Sequence, residues 1–370
     1  MKRFLKVFLL VVFVLTLSSL VLASLPFKIG VVTGTVSQNE EEYRAGERIV
    51  EKYGADKVIH VTYPDNFMQE QETTISQILR FAYDRDVKVV VISQAVPGTV
   101  PAIRRVRQIR KDIIFAAVVP HEDPYLVSDE VDLAFQTDDL GRGRTITELA
   151  KKMGADTILH YSFPRHMSYE LLAQRRDLME KTANEIGLQF VFVSAPDPMG
   201  EQGIAGTQQF MMEDIPRQLA IYGKNTAVFG TNCAMQEQII TQVLAGGAIY
   251  PEQCCPSPAH AYPSAIGLEV TPEMQGAEGI PNLTKAINER IIELGGAGRF
   301  ATWPVAFNYV LTEAAVEIVI QAAQDKIDLS DMAAVKAAVE EVAKFPMHIS
   351  RFDRYGNFYL LLSDSIIFGN

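Results

Sequence analysis

Short β-branched runs alternate with helical stretches of ten or more residues from Phe27 to Leu244. That rhythm confines the chain to parallel sheets with helical crossovers, because a parallel strand is reached only through a long connection and is apolar on both faces. Strands are expected at 27–32, 58–62, 87–93, 113–119 and 131–136, separated by helices at 41–53, 71–83 and 100–110. A second round places helices at 143–153, 169–185, 206–220 and 234–244 around strands at 157–162, 190–194 and 226–229. Arg44 to Pro64 set against Arg144 to Pro164 shares seven identities in 21 positions. Two similar lobes are therefore expected, although helix–glycine–strand units resemble one another on physical grounds alone.

The segment 251–272 departs from the rhythm. Its five prolines exclude a long helix or a central strand, so it reads as a short strand followed by an ordered loop. Beyond it lie helices at 282–294, 304–324 with Pro304 in its first turn, and 330–344, then a hairpin across Tyr355-Gly356-Asn357.

Compartment and partners are constrained by charge. Lys2, Arg3 and Lys6 precede an apolar run from Val7 to Ala23, and Val21-Leu22-Ala23 offers small residues for cleavage, so 1–23 reads as a secretory signal and the mature chain begins near Ser24. An uncleaved anchor is the competing reading, since the 17-residue run falls just short of the about 20 needed to span a bilayer. With 34 basic against 45 acidic residues, nucleic acid is a poor partner. Three cysteines, Cys233, Cys254 and Cys255, allow at most one internal bridge. Pairing Cys233 with either of the others strains the chain less than joining the adjacent pair, and three unbridged thiols are the alternative. No metal site is expected, because no His lies four residues from another and no CxxC pair exists.

The run Asp138-Asp139-Leu140-Gly141-Arg142-Gly143, with the helix and strand after it, resembles the type I periplasmic binding proteins and the galactose/lactose repressor family. Arg175 with Met179 and Gly187, the strand Thr226 to Met235, Gly247-Ala248-Ile249-Tyr250-Pro251 and Thr302-Trp303-Pro304 follow in the order of that superfamily. The Pro-Ser-Pro…Tyr-Pro run at 256–263 is similar to one in an uncharacterised bacterial family of substrate-binding-like lipoproteins, whose lipid-bearing Cys is lacking here. Cys233 stands where the superfamily often has a ligand-binding Asp. The repressor branch is set aside because a signal sequence occupies the place of its helix-turn-helix. The resemblance implies an α/β fold of two lobes, each a parallel sheet with helices on both faces, joined by three crossings. An N-terminal lobe is expected at 27–155 with about 303–328, and a C-terminal lobe at 156–302 with about 329–370.

In open α/β sheets ligands bind beyond the carboxyl ends of the strands, and two facing lobes turn two half-sites into one cleft. The ligand-binding candidates of the first lobe are Thr33, Thr35, Ser37, Tyr63, Ser93, Gln94, His121, Thr137 and Asp138. Those of the second are Arg165, His166, Asp197, Asn232 and Ser257, with Arg175 from its helix and Trp303 at a crossing. Asp138 competes as a helix cap, Arg175 as an ion-pair partner of Asp177 or Asp139, and His121 as part of a solvated turn. His60 and His160, inside strands, read as core residues. No G-x-S-x-G elbow, P-loop, H-E-x-x-H or G-x-G-x-x-G is present; Gly141-Arg-Gly143 reads as a helix start permitting close packing.

The expectation is thus a periplasmic or extracellular solute-binding protein without catalysis or cofactor, taking a small polar solute to an ABC permease. The same cleft would serve a ligand-sensing partner of a membrane receptor. A secreted hydrolase needs a nucleophile or metal that the motifs do not supply.

Overall fold

The computed structural model describes residues 25–370, so the expected signal at 1–23 lies outside the described residues. The first round runs β1 (Lys28–Thr33), α1 (Glu40–Tyr53), β2 (Val58–Thr62), α2 (Gln71–Leu79), β3 (Val87–Ser93), α3 (Thr99–Ile109), β4 (Ile114–Val118), α4 (Pro124–Glu130) and β5 (Leu133–Thr137). The second runs α5 (Asp139–Lys152), β6 (Thr157–Ser162), α6 (Pro164–Met167), α7 (Glu170–Ile186), β7 (Gln189–Ser194), α8 (Gly203–Tyr222), β8 (Thr226–Gly230) and α9 (Cys233–Gly246). Then come α10 (Tyr262–Ile266), α11 (Gly276–Glu293), β9 (Ala301–Thr302), α12 (Phe307–Ala323), α13 (Met332–Ala343), β10 (His348–Arg351), β11 (Phe358–Leu362) and β12 (Ile366–Ile367). Among the described residues no helix is long and apolar enough to cross a membrane.

The strands assemble as the apolar runs require. One sheet has the order β10-β11-β5-β4-β3-β1-β2, parallel except for the edge strand β10, a second has the order β7-β6-β8, and β12 with β9 forms a two-stranded third. Both faces of the first sheet are covered. α12 packs on β3 and β4, burying Leu311, Ala315 and Val319 with Val89, Val91 and Ala116, while Ile75, Ile78 and Ile103 of α2 and α3 join Val90, Ile92 and Phe115 on the other side. A buried run such as Val89 to Ile92 loses water from every side chain, at about 1.5–3 kcal/mol for each fully buried Val or Ile.

Two features of the chain's path differ from the sequence expectation. The residues from 329 onward were expected in the second lobe, but β11 pairs with β5 and α13 packs on α12, so 332–362 belongs to the first sheet and the chain returns to the second side only at β12, which pairs with β9. The physical reason is the exposed edge of β5: the apolar strand Phe358–Leu362, buried over most of its length, covers it. The residue echo does not mark equivalent strands either. β2 lies at the edge of its sheet and β6 at the centre of the other, while the shared glycines Gly54 and Gly154, both at φ +93, end the helices before those strands.

A buried ionic network holds the crossings together. Arg142 donates from Nε to Glu252 Oε1 (2.8 Å), from one terminal nitrogen to Asp139 (3.1 Å) and from the other to the Gln253 carbonyl (2.8 Å). Trp303 Nε1 donates to Glu252 Oε2 at 2.6 Å, and the hydroxyl of Thr302 donates to Gln253 at 2.9 Å. Segments near 139, 252 and 302 thus share one set of charges, all of them 3% exposed or less at the Arg142, Asp139 and Glu252 side chains.

Candidate functional site

In the order β2-β1-β3 the connections leave β1 and β3 toward opposite faces, which opens a crevice beyond their carboxyl ends; β7-β6-β8 repeats the arrangement. The two crevices face each other. His121, after β4, stacks on Tyr169, before α7, with centroids 6.1 Å apart, and the Ser257 hydroxyl donates to Glu41 of α1. Arg48 of α1 pairs with Glu278 of α11 at 3.3 Å.

At the first switch point the backbone is held in uncommon conformations. Gln94 and Ala95 after β3, and Val119 after β4, have φ of 59°, 33° and 50°. The Gln94 amide donates to Glu42 Oε2 at 3.0 Å, and its carbonyl accepts from the His121 amide at 2.8 Å. The other Glu42 oxygen, Glu41 Oε2, the Tyr63 hydroxyl and His121 Nδ1 are buried without a protein partner. Burial pushes the Glu41 carboxyl up to about 7, holds Glu42 well above the usual carboxylate range, and lowers His121 to about 4. Near neutral pH the imidazole is uncharged and burial favours the protonated form of both carboxyls, so the group offers donors and acceptors with little fixed charge.

Beside these residues a cleft of about 980 Å³ runs between the start of α1 and the second lobe. Glu41, Arg48, Asn308 and Tyr309 line one side, and Cys233, Cys255 and His260 the other. Asn308 is 2% exposed and its Oδ1 lacks a partner. The volume suits a ligand of drug-like size or smaller.

The expected site residues separate into groups. Ser37 lines the cleft, and Thr35 beside it donates to Asp65. Tyr63, Gln94, His121 and Ser257 belong to the facing crevices just described. Thr33 bonds His60 Nε2 (2.8 Å) and Ser93 bonds Thr312 (3.0 Å), both inside the first lobe. Thr137 donates to Asp139 at 3.2 Å, and Asp138 caps α5 by accepting from the Gly141 amide at 2.8 Å. Arg165 and Asp197 form a two-pronged ion pair at 2.8 Å on each arm, and His166 meets Thr231 at 3.1 Å. Asn232 caps α9 through the Ala234 amide (2.9 Å). Arg175 is buried against Asp139 and Trp303 against Glu252.

Two sets of residues were not anticipated. Glu41 and Glu42 read in sequence as the acidic first turn of an amphipathic helix; their only signal was a place just after β1, on the side of the chain that feeds the crevice. The three cysteines and His260 come together through folding: Cys233 Sγ lies 3.6 Å from Cys254 Sγ and 3.8 Å from Cys255 Sγ, with no disulfide.

The profile of a family described as "Protein of unknown function (DUF3798)" matches residues 27–301. An uncharacterized protein of Treponema pallidum (strain Nichols) is 38% identical over 180 residues, covering 47% of this chain and 81% of the relative. A crystal structure from Clostridium difficile 630, described as a candidate transcriptional regulator, superposes with TM-score 0.78 at 27% identity, covering 92% of this chain and 99% of that one. The substrate-binding protein of a sugar ABC transport system from Bordetella parapertussis 12822 gives TM-score 0.59 at 13% identity over 93% of this chain and 90% of that one. A periplasmic solute-binding protein from Actinobacillus succinogenes 130z, with bound D-allose, gives 0.54 at 12% over 92% and 97%. The fold is that of the type I periplasmic binding proteins.

Proposed function

We propose that this chain, which belongs to the DUF3798 family, captures a small polar solute between its two lobes outside the cytoplasm and delivers it to an ABC importer. The observation that carries the proposal is the pair of facing strand-end crevices bordered by a cleft of about 980 Å³, with buried polar atoms of Glu41, Glu42, Tyr63, His121 and Asn308 left without protein partners. Unpartnered buried polar atoms cost about 1–3 kcal/mol each, a cost that a bound polar molecule relieves. The sugar-binding neighbours of the same fold and the basic, apolar N-terminal run support capture outside the cytoplasm.

The lobes we propose run from 25 to 137 with about 303–362, and from 138 to 302 with 363–370. The solute carries hydroxyl or amino groups that donate to Glu41, Glu42 and Asn308, together with oxygens that accept from Tyr63. A neutral solute fits best, because burial holds the two carboxyls toward their neutral form and Arg48, Arg165 and Arg175 are already paired.

A ligand-sensing role uses the same cleft, and the regulator-like description of the Clostridium difficile neighbour favours it as the second reading. Thermal unfolding against sugars, nucleosides, amino acids and amines tests solute capture: a ligand present at a hundredfold its Kd adds about 2.7 kcal/mol of stability. A library in which no polar solute raises the melting temperature rejects the proposal. Permease and ATPase genes beside this one favour import, and a receptor or sensor kinase gene favours sensing.

A further inference from the structure

We propose that Cys233, Cys254, Cys255 and His260 form a tetrahedral site for one soft divalent cation of the zinc type, set in the wall of the cleft. This inference goes beyond solute capture and does not depend on it.

Three sulfurs and one imidazole nitrogen, drawn from two separate segments, lie within 4.8 Å of one another. Cys233 opens α9 at the carboxyl end of β8, while Cys254, Cys255 and His260 sit on the proline-rich loop that follows Tyr250. The sulfur separations distinguish the possible chemistries. A disulfide requires about 2.05 Å. A tetrahedral centre with metal–sulfur bonds of about 2.3 Å has edges of about 3.8 Å, and Cys233 Sγ lies 3.6 and 3.8 Å from its two neighbours. The thiols therefore stand at the spacing of ligands around a common centre.

The surroundings fix the ligands. His260 Nδ1 donates to the Cys255 carbonyl at 2.9 Å, a contact that sets the tautomer and leaves Nε2 as the basic nitrogen. The loop itself is anchored: Gln253 Nε2 donates to the Ser257 carbonyl (2.7 Å), and Arg142 donates to the Gln253 carbonyl (2.8 Å). Cys233, Cys255 and His260 face the cleft, which gives a metal ion a route in, whereas Cys254 is 8% exposed and closes the site from behind.

Ligand type chooses the metal. Thiolates and imidazole suit zinc and disfavour calcium and magnesium, which take oxygen ligands. Four protein ligands leave no open position, so the ion would act as a structural tie between the start of α9 and the proline-rich loop. Each thiol that ligates releases its proton to solvent.

Titration of the reduced, chelator-treated full chain with Co²⁺ and then Zn²⁺ tests the site. The expected result is one Co²⁺ per chain, with strong sulfur-to-cobalt charge-transfer absorption and the visible bands of tetrahedral geometry, displaced by Zn²⁺. Cys233→Ser lowers the charge-transfer intensity, and His260→Ala weakens Zn²⁺ by at least about tenfold while the sulfur bands persist. Circular dichroism of each variant monitors folding, and the wild-type titration stands alone should either variant misfold. A natively folded, reduced wild-type chain that shows no charge-transfer band, or the weak spectrum of octahedral cobalt, overturns the proposal.

Discussion

His160 sits at zero exposure with both ring nitrogens unpartnered, its ring among Phe190, Phe192 and Phe229 at centroid distances of 5.7–5.8 Å. Burial, reinforced by the positive Arg175, pushes it down to about 3. The unfolded chain takes up a proton near pH 6.5 that the folded chain refuses until about pH 3, so this residue's contribution to stability falls as pH drops through that window. Between pH 7 and pH 4.5 the loss is about 2–3 kcal/mol. His160→Phe removes it, and urea midpoints for the two chains at both pH values are expected to diverge in favour of the variant on acidification. Arg175 makes the complementary case. As a cleft residue its loss would weaken ligand binding with the fold intact; paired with Asp139 at 1% exposure, Arg175→Ala instead lowers stability by about 3 kcal/mol or more, read as a fall in the denaturation midpoint. Sequence identified Asp139 as a possible partner but not its depth, because depth depends on how α5 and α7 close over the pair.

α5 and α7 approach closely because Gly143 has no side chain: a Cβ there would stand 2.8 Å from the Arg175 carbonyl and 2.9 Å from Leu178 Cβ. An exposed helical Gly→Ala change gains about 1 kcal/mol, whereas here the obstacle is backbone and the helices must separate. Gly143→Ala is therefore expected to lose about 1–3 kcal/mol, with a lower melting temperature as the readout. Close packing at Gly143 was legible from the Gly-Arg-Gly helix start, and the alternating elements were legible from periodicity. α4 was missed, although Asp123 and Pro124 carry its start signal, with Asp123 accepting from the amides of Tyr125 (2.9 Å) and Leu126 (3.1 Å). The sequence pattern puts Pro304 in the first turn of a helix that instead starts at Phe307, because Trp303 is held at the crossing by Glu252. That competing bond spans 51 positions in the chain, beyond any local pattern.

At the scale of the molecule, two rounds of strand and helix were enough to anticipate two α/β lobes, and the strand-end rule placed Tyr63, Gln94, His121 and Ser257 in the facing crevices. The return path of the chain was not legible, since the pairing of β11 with β5 joins residues more than 200 apart that share no sequence signal. Glu41, Glu42 and Asn308 were hidden for a similar reason: each sits on a helix whose burial is decided by the opposite lobe or the crossing. The proposed occupant of the cleft between the lobes is a polar solute, and Asn308 offers the cleanest probe because its Oδ1 faces no protein donor. Calorimetric titration of a solute identified by thermal shift, on wild type and Asn308→Ala, is the direct measurement. A lost neutral hydrogen bond of about 0.5–1.5 kcal/mol predicts affinity lower by about two- to tenfold with the melting temperature of the free chain nearly unchanged, whereas equal affinity in both proteins would contradict binding in this cleft.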